Sequence, residues 1–185
     1  MAIDPLLRDS FAHEVWANRA ILSFCDQLAP EQLRATTPGA YGSIAQTIRH
    51  VLDAAAWYQH RLGLERLGWE ERDEHTDDVA ELDRRAHEVE ARWERVFERP
   101  FDPERVIDSL PGDDPLEHIR AGVYVAQVFN HGSEHRDQVC TILTTLGIQP
   151  PELDVWAYAY ATGRVQTDPA PTVRTIGGSA ADAEG

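Results

Sequence analysis

Lysine is absent from the sequence, and all 17 basic residues are arginine. Acidic residues number 32, which gives a formal net charge of −15. Nucleic acids and anionic membranes bind proteins through basic surfaces, so we expect neither as the main partner of this chain. We attribute the lack of lysine itself to a GC-rich genome rather than to function.

Cysteine and long apolar runs are also scarce. The two cysteines, Cys25 and Cys140, form no Cys-x-x-Cys motif and allow at most one disulfide, which is typical of a reducing compartment. No apolar run approaches the roughly 20 residues of a membrane span. The first nine residues carry acids and lack the basic-then-apolar plan of a secretory leader. We therefore expect a cytoplasmic protein.

What the sequence does contain is helical periodicity, with no strand-like runs between turn residues. It predicts a helix that opens at Asp4 and Pro5, then helices over 43–63, 77–99 and 114–146, and a short fifth helix over 152–162. These elements predict an all-α fold, a four-helix bundle with a short C-terminal helix. Two long connections leave room for a variant of up-and-down threading. The highly charged residues 64–78 are expected to face solvent.

The chain length of 185 residues suits one domain with a core of its own. We assign residues 1–163 to this helical domain. Residues 164–185 are rich in Pro, Thr, Gly, Ala and Ser, which predicts a disordered tail.

Two of the eight histidines, His131 and His135, are four residues apart and share one helix face. This spacing suits two ligands of one metal ion, but a hydrogen-bonded pair of core histidines fits it equally well. His50, beside the apolar stripe of the second helix, is the candidate third ligand. Burying three imidazoles together is costly unless a divalent cation satisfies their nitrogens. Three ligands would leave one coordination position open.

Two other metal-binding motifs contain histidine at a similar spacing. The sequence contains no Glu-x-x-His, which excludes the carboxylate-bridged di-iron motif of helical bundles. Residues 131–135 read His-x-x-Glu-His, the inverted zincin signature, with Glu134 as a possible general base. Those peptidases resemble large α/β domains with an acidic ligand far downstream, whereas only 50 residues follow His135 here. A metal-dependent hydrolase or peptidase stays open as an alternative.

Four sequence blocks stand in a characteristic order over about residues 4–162. They are Trp16-Ala17-Asn18-Arg19 with Ile21-Leu22; Ser43-Ile44 through Ile48-Arg49-His50-Val51, with Asp53 and Trp57; Asn130-His131 through His135-Arg136 and Gln138-Val139; and Leu146-Gly147-Ile148 with Pro150 to Asp154 and Tyr158. Together these blocks resemble the DinB/YfiT-like family of metal-dependent enzymes.

The resemblance implies a four-helix bundle of variant up-and-down topology with a three-histidine site for a divalent metal, commonly zinc or nickel. It carries the ligands over to His50, His131 and His135. Family members with an assigned reaction resemble thiol-dependent enzymes that transfer bacillithiol or glutathione, or use mycothiol for isomerisation. Asp137 departs from the glycine that the family often has there, which puts the surroundings of the site in doubt rather than its ligands.

The leading hypothesis is a metal-dependent enzyme that acts on a small-molecule substrate as a low-molecular-weight-thiol S-transferase. Glu134 is the candidate base, or else a solvated helix residue. Asn18 would contact the ligands or the substrate, or be a satisfied buried amide, and Trp57 would wall the pocket or pack in the core.

The alternative hypothesis is a non-catalytic, stress-associated bundle with a structural metal. Under either hypothesis Trp16, which lies off the stripe of the first helix, could anchor a homodimer or be a partly exposed aromatic.

Overall fold

The computed structural model describes residues 5–72, 74–97, 100–110 and 115–168. Its elements in chain order are α1 (Pro5–Cys25), α2 (Pro30–Leu33), α3 (Ile44–Arg61), α4 (Gly68–Glu71), α5 (Val79–Val96), β1 (Val106–Asp108), β2 (His118–Arg120), α6 (Ala121–Thr145) and α7 (Val155–Ala161). The predicted all-α bundle with a short C-terminal helix is confirmed. Of the predicted tail, residues 169–185 lie outside the described residues, so its disorder stays a prediction.

The helix that carries His50 shows how the sequence sets these boundaries. At the start of α3, Ser43 Oγ accepts a hydrogen bond from the backbone N–H of Gln46, and Gln46 Oε1 accepts one from the backbone N–H of Ser43. This capping box satisfies two N–H groups that the first helical turn leaves unpaired. Gly63 ends the helix with a φ of 109°, a conformation that glycine adopts without strain. The predicted apolar stripe is buried throughout, at Ile44, Ile48, Val51, Ala55, Tyr58 and Leu62.

The four long helices pack in a closed order that differs from simple up-and-down threading. Helix α3 packs against α5 and α6, and α1 packs against the same two helices. Helices α1 and α3 therefore lie across one diagonal of the bundle, and α5 and α6 lie across the other. Two long segments join helices that lie diagonally opposite each other: residues 26–43 connect α1 to α3, and residues 97–120 connect α5 to α6. None of the helices in the described ranges is both long and apolar enough to cross a membrane.

The prediction that the fourth long helix begins near residue 114 is wrong. Strand β2 occupies residues 118–120 and pairs antiparallel with β1, with Ile107 opposite Ile119. The backbone N–H of Ala121 then donates to the carbonyl of Arg105 at 2.8 Å, so the helix can begin only after this pairing ends. The expectation of no strands is wrong for the same reason, because hydrogen bonds between β1 and β2 override the local helical pattern.

The charged segment 64–78 was expected to face solvent, and this is wrong for part of it. Trp69, in the short helix α4, is only 4% exposed. Its ring lies under the guanidinium of the buried Arg85, with 4.6 Å between the Arg85 Cζ atom and the ring centroid. Its indole N–H donates to Glu88 Oε2 at 2.9 Å. Trp69 thus ties the segment to α5 and places charged residues beside α3.

Candidate metal centre

The packing of α3 against α6 brings the three predicted histidines together. His50 comes from α3, and His131 and His135 lie one turn apart on α6. The Nε2 atoms of His50 and His131 are 3.0 Å apart. One ring nitrogen from each of the three histidines lies within 4.8 Å of those of the other two. The three-histidine cluster predicted from the sequence is therefore confirmed.

The protonation of these rings suits metal binding. Partial burial lowers the pKa of His131 to about 4, and the neighbouring His135 and His50 act in the same direction. Burial also lowers the pKa of His50, with further contributions from His135 and Arg49. Neutral imidazole is the form that binds metals. A tetrahedral ion about 2.0–2.1 Å from each nitrogen would set ligand nitrogens about 3.3 Å apart; the His50 and His131 nitrogens are 3.0 Å apart, and all three lie within 4.8 Å of one another. The donor set thus fits a divalent ion.

The tautomer of His135 is fixed by Gln138, one turn further along α6. His135 Nδ1 lies 3.0 Å from Gln138 Oε1, which also accepts a hydrogen bond from the backbone N–H of Tyr41 at 2.9 Å. Because this amide oxygen can only accept, Nδ1 of His135 carries the proton and Nε2 keeps its lone pair. Such outer hydrogen bonds orient metal-binding histidines. Sequence reasoning placed Gln138 in a family block but missed this role.

Tyr41 covers one side of the cluster. Its ring stacks on the His50 imidazole with centroids 3.9 Å apart and planes 9° apart. The same ring meets His135 edge-on at 5.5 Å. Tyr41 is nevertheless 57% exposed, so it stands between the cluster and solvent. No periodic pattern singles it out, because it lies in the loop before α3.

Behind the cluster, a buried ion pair joins α6 to α1. Nη1 and Nη2 of Arg136 donate to the two carboxylate oxygens of Glu14 at 2.8 and 2.9 Å. Asn18, a predicted site residue, accepts from Arg136 at 2.7 Å and donates to Glu14 at 3.2 Å. Asn18 is thus a hydrogen-bonded amide that braces Arg136, the residue after His135. A Cβ atom on Gly132 would come within 2.8 Å of Arg136 Nη1 and closer still to Glu14 Oε1. The close approach of Glu14 and Arg136 therefore leaves room only for glycine at position 132, between the two histidines.

Comparison with protein-family models gives a match to the DinB family over residues 4–171. The chain belongs to the DinB family. A search of curated proteins finds no match. Family membership agrees with the three-histidine cluster, which occupies the positions that the sequence blocks indicated.

A cavity of about 380 Å³ adjoins the cluster of this DinB chain and opens to solvent. Helix α3 and the segment around α4 form most of its walls, and α6 contributes His131. Trp57, predicted as a pocket residue, lies in this lining together with Asp53, which sequence reasoning had quoted without a role. The lining residues are His50, Asp53, Ala54, Trp57, Tyr58, Arg66, Trp69, Glu70, Glu74, His75 and His131.

The structure does not bring Glu134 into this cavity. Its side chain is exposed on α6, and its Oε2 accepts a hydrogen bond from Asn130 Nδ2 at 3.4 Å. Its role as a base stays a prediction. Asp137, where the family often has glycine, is exposed as well.

Trp16, the candidate dimer anchor, packs within its own chain. Its ring lies 5.9 Å from that of Tyr158 on α7 and 6.2 Å from that of His13. His13 Nε2 in turn lies 2.8 Å from the carbonyl oxygen of Leu153. These contacts explain the aromatic residue at position 16 without a partner, and the homodimer stays a prediction.

Proposed function

We propose that this DinB protein is a divalent-metal-dependent enzyme that transfers a low-molecular-weight thiol. His50, His131 and His135 would hold the ion. The observation that carries this proposal is a set of three converging imidazoles, two of which, His50 and His131, have lowered pKa values and line an open cavity. Three protein ligands are the number found in catalytic zinc sites, which keep one position for substrate or water.

The bound ion would supply a positive charge that favours the thiolate form of a thiol at neutral pH. The chain supplies the rest. Gln138 keeps the proton of His135 on Nδ1, and Tyr41 screens His50 from solvent. The cavity beside Trp57 would hold the remainder of the substrate. An all-nitrogen donor set suits zinc or nickel, and we propose one of these as the resident metal.

A structural metal in a non-catalytic bundle is the competing function. Structural zinc sites are usually closed by four protein ligands. Among the described residues, the group able to hold an ion comprises three histidines and no fourth ligand. The adjoining cavity likewise gives a ligand access, which favours the enzyme.

Conjugation of thiols to an electrophile tests the proposed reaction. Protein loaded with zinc or nickel is incubated with cysteamine, glutathione or bacillithiol and an electrophilic aryl halide, and the thioether product is quantified. We expect product formation above the uncatalysed rate and its loss in His50→Ala. His87→Ala is the matched control, because His87 is exposed on α5 and its Nδ1 contacts the backbone oxygen of Asp83. Activity that survives His50→Ala, or no conjugation with any thiol, would contradict the proposal.

A further inference from the structure

Asp53 is a carboxylate in the cavity that forms no hydrogen bond or ion pair with any residue the structure describes. It lies one helical turn after His50 on α3, half-buried, in the same lining as His50 and His131. Among the described residues, none donates a hydrogen bond to it, and its interactions are those of burial and of charges further away. Unpaired carboxylates in partly buried positions are costly unless something compensates them.

The two arginines nearest in electrostatic influence already have partners of their own. Arg85 Nε donates to Glu81 Oε1 at 3.0 Å, and Arg49 Nη1 donates to Asp77 Oδ1 at 2.6 Å. Their attraction, together with that of His75 in the cavity lining, does not offset the burial of Asp53, and its pKa is raised above the ordinary value. The carboxylate therefore has capacity for one more cationic partner.

The other carboxylates of the cavity are occupied, in contrast to Asp53. Glu70 Oε2 accepts from the backbone N–H of Leu67 at 2.6 Å and lies 4.0 Å from Arg92. Glu74 pairs with Arg72 at 2.6 Å. Two groups that can carry positive charge, Arg66 and His75, also line the cavity, but both are exposed side chains on the segment around α4. Among the carboxylates that line the cavity, Asp53 is therefore the one with no ion-pair or hydrogen-bond partner among the described residues.

We propose that Asp53 binds the protonated amino group of the substrate, so that the site selects thiols that carry a free amine. The inference rests on the proposed thiol function and specifies its substrate class. His50 and Asp53 are three residues apart on one helix face, which separates them by about one turn, or roughly 5 Å. Because the two side chains start only one turn apart, we expect a short thiol to reach both, such as a β-aminothiol with two carbons between sulfur and nitrogen. Trp57, one turn beyond Asp53, also lines the cavity, and its ring already lies under a cation of this chain, with the Arg61 Cζ atom 5.6 Å from the ring centroid.

Calorimetric titration of the zinc-loaded protein with two matched thiols tests the inference. The two thiols have the same length, but cysteamine carries an amino group, protonated at pH 7.5, where 2-mercaptoethanol carries a hydroxyl group. Since the two thiols also differ in acidity, the informative quantity is the ratio of their affinities in each variant. A charge-assisted hydrogen bond predicts that this ratio falls about tenfold or more in Asp53→Asn. Asp53→Glu, which keeps the charge, should retain part of the preference.

Asp26→Asn is the control for net charge, since Asp26 is exposed after α1 and does not line the cavity. Its affinity ratio should equal that of the unmodified protein. Zinc content and circular dichroism are measured for each variant, so that an unfolded sample is recognised. If both thiols bind and Asp53→Asn leaves the ratio unchanged, the inference is overturned while the thiol function stands. If neither thiol binds the zinc-loaded protein, both fail together.

Discussion

Substituting Gly132 by alanine should destabilise the protein, although it replaces glycine in the middle of a helix. At an open helical position this change gains about 1 kcal/mol, because alanine loses less backbone entropy than glycine on folding. Here the added methyl group would approach Arg136 Nη1 to 2.8 Å and press against the Glu14 carboxylate. Both side chains are buried, at 4% and 5% exposure, so neither can move aside into solvent.

The size of the effect follows from these opposing contributions. Overpacking a buried site costs about 1–3 kcal/mol. Breaking a buried ion pair by removal of one partner costs about 3–5 kcal/mol, and a displaced Glu14 would lose part of that amount. After the helical gain is subtracted, we expect a net loss of about 1–3 kcal/mol. For a chain of this size that lowers Tm by about 2–12 °C.

Thermal unfolding of metal-free protein, followed by circular dichroism, measures this shift. Ser133→Ala is the control because Ser133 is the next residue on α6 and is exposed. It should change stability by less than about 0.5 kcal/mol. A Gly132→Ala variant with a Tm equal to or above that of the unmodified protein would refute the packing argument.

Three further predictions concern the cluster and its supports. Gln138→Ala should weaken zinc affinity about 10–100-fold in chelator competition, because it removes the acceptor for His135 Nδ1. Gln138→Glu keeps an acceptor and should lose less affinity. Equal zinc affinity in the unmodified protein and both variants would contradict this prediction. The pKa of His131 falls from 6.5 to about 4 on folding, so the unfolded chain binds more protons between these values. Urea unfolding of metal-free protein should therefore show stability falling from pH 7 to pH 4, less steeply in His131→Gln; equal slopes would be inconsistent with a buried neutral His131. Trp69→Ala should lower the free energy of unfolding in urea by about 3–5 kcal/mol. Trp156, which is 71% exposed, is the control, and Trp156→Ala should lower it by less than about 0.5 kcal/mol. Similar losses in the two variants would show that Trp69 does not anchor its segment.

The sequence was sufficient for the long helices because local chemistry and tertiary packing agree in them. In α3 the capping box at Ser43, the apolar stripe and the terminal Gly63 all indicate the same element. The short C-terminal helix was predicted for similar reasons, and Asp154 caps it by accepting from the backbone N–H of Ala157. Such agreement makes element type readable even where boundaries shift by a few residues.

The hairpin was not predictable in the same way. Strands of three residues are too short to display a period of two, and their pairing depends on contacts ten or more residues apart. Trp69 also escaped prediction, since a tryptophan among charged residues gives no periodic pattern. Its burial depends on Arg85 and Glu88 from another helix.

In the candidate site, too, some residues could be predicted from local sequence pattern and others only from tertiary packing. The spacing of His131 and His135 on one helix and the position of His50 beside the stripe of another made these three the candidate ligands, and the family resemblance supported the same set. The position of Tyr41 over the cluster and the place of Asp53 in the cavity emerged only from the packing of distant segments. Glu14 could have been recognised from the sequence as a buried acidic residue, because it lies three positions after the buried Phe11 and thus on the core side of α1.

X-ray diffraction from zinc-loaded crystals, with anomalous difference maps calculated from data on both sides of the zinc absorption edge, tests the central claim most directly. The account predicts one strong peak per chain, about 2.0–2.1 Å from ring nitrogens of His50, His131 and His135. It also predicts a remaining ligand position that faces the cavity rather than a fourth protein side chain. A zinc peak elsewhere, no peak after loading, or a fourth protein ligand closing the site would contradict it.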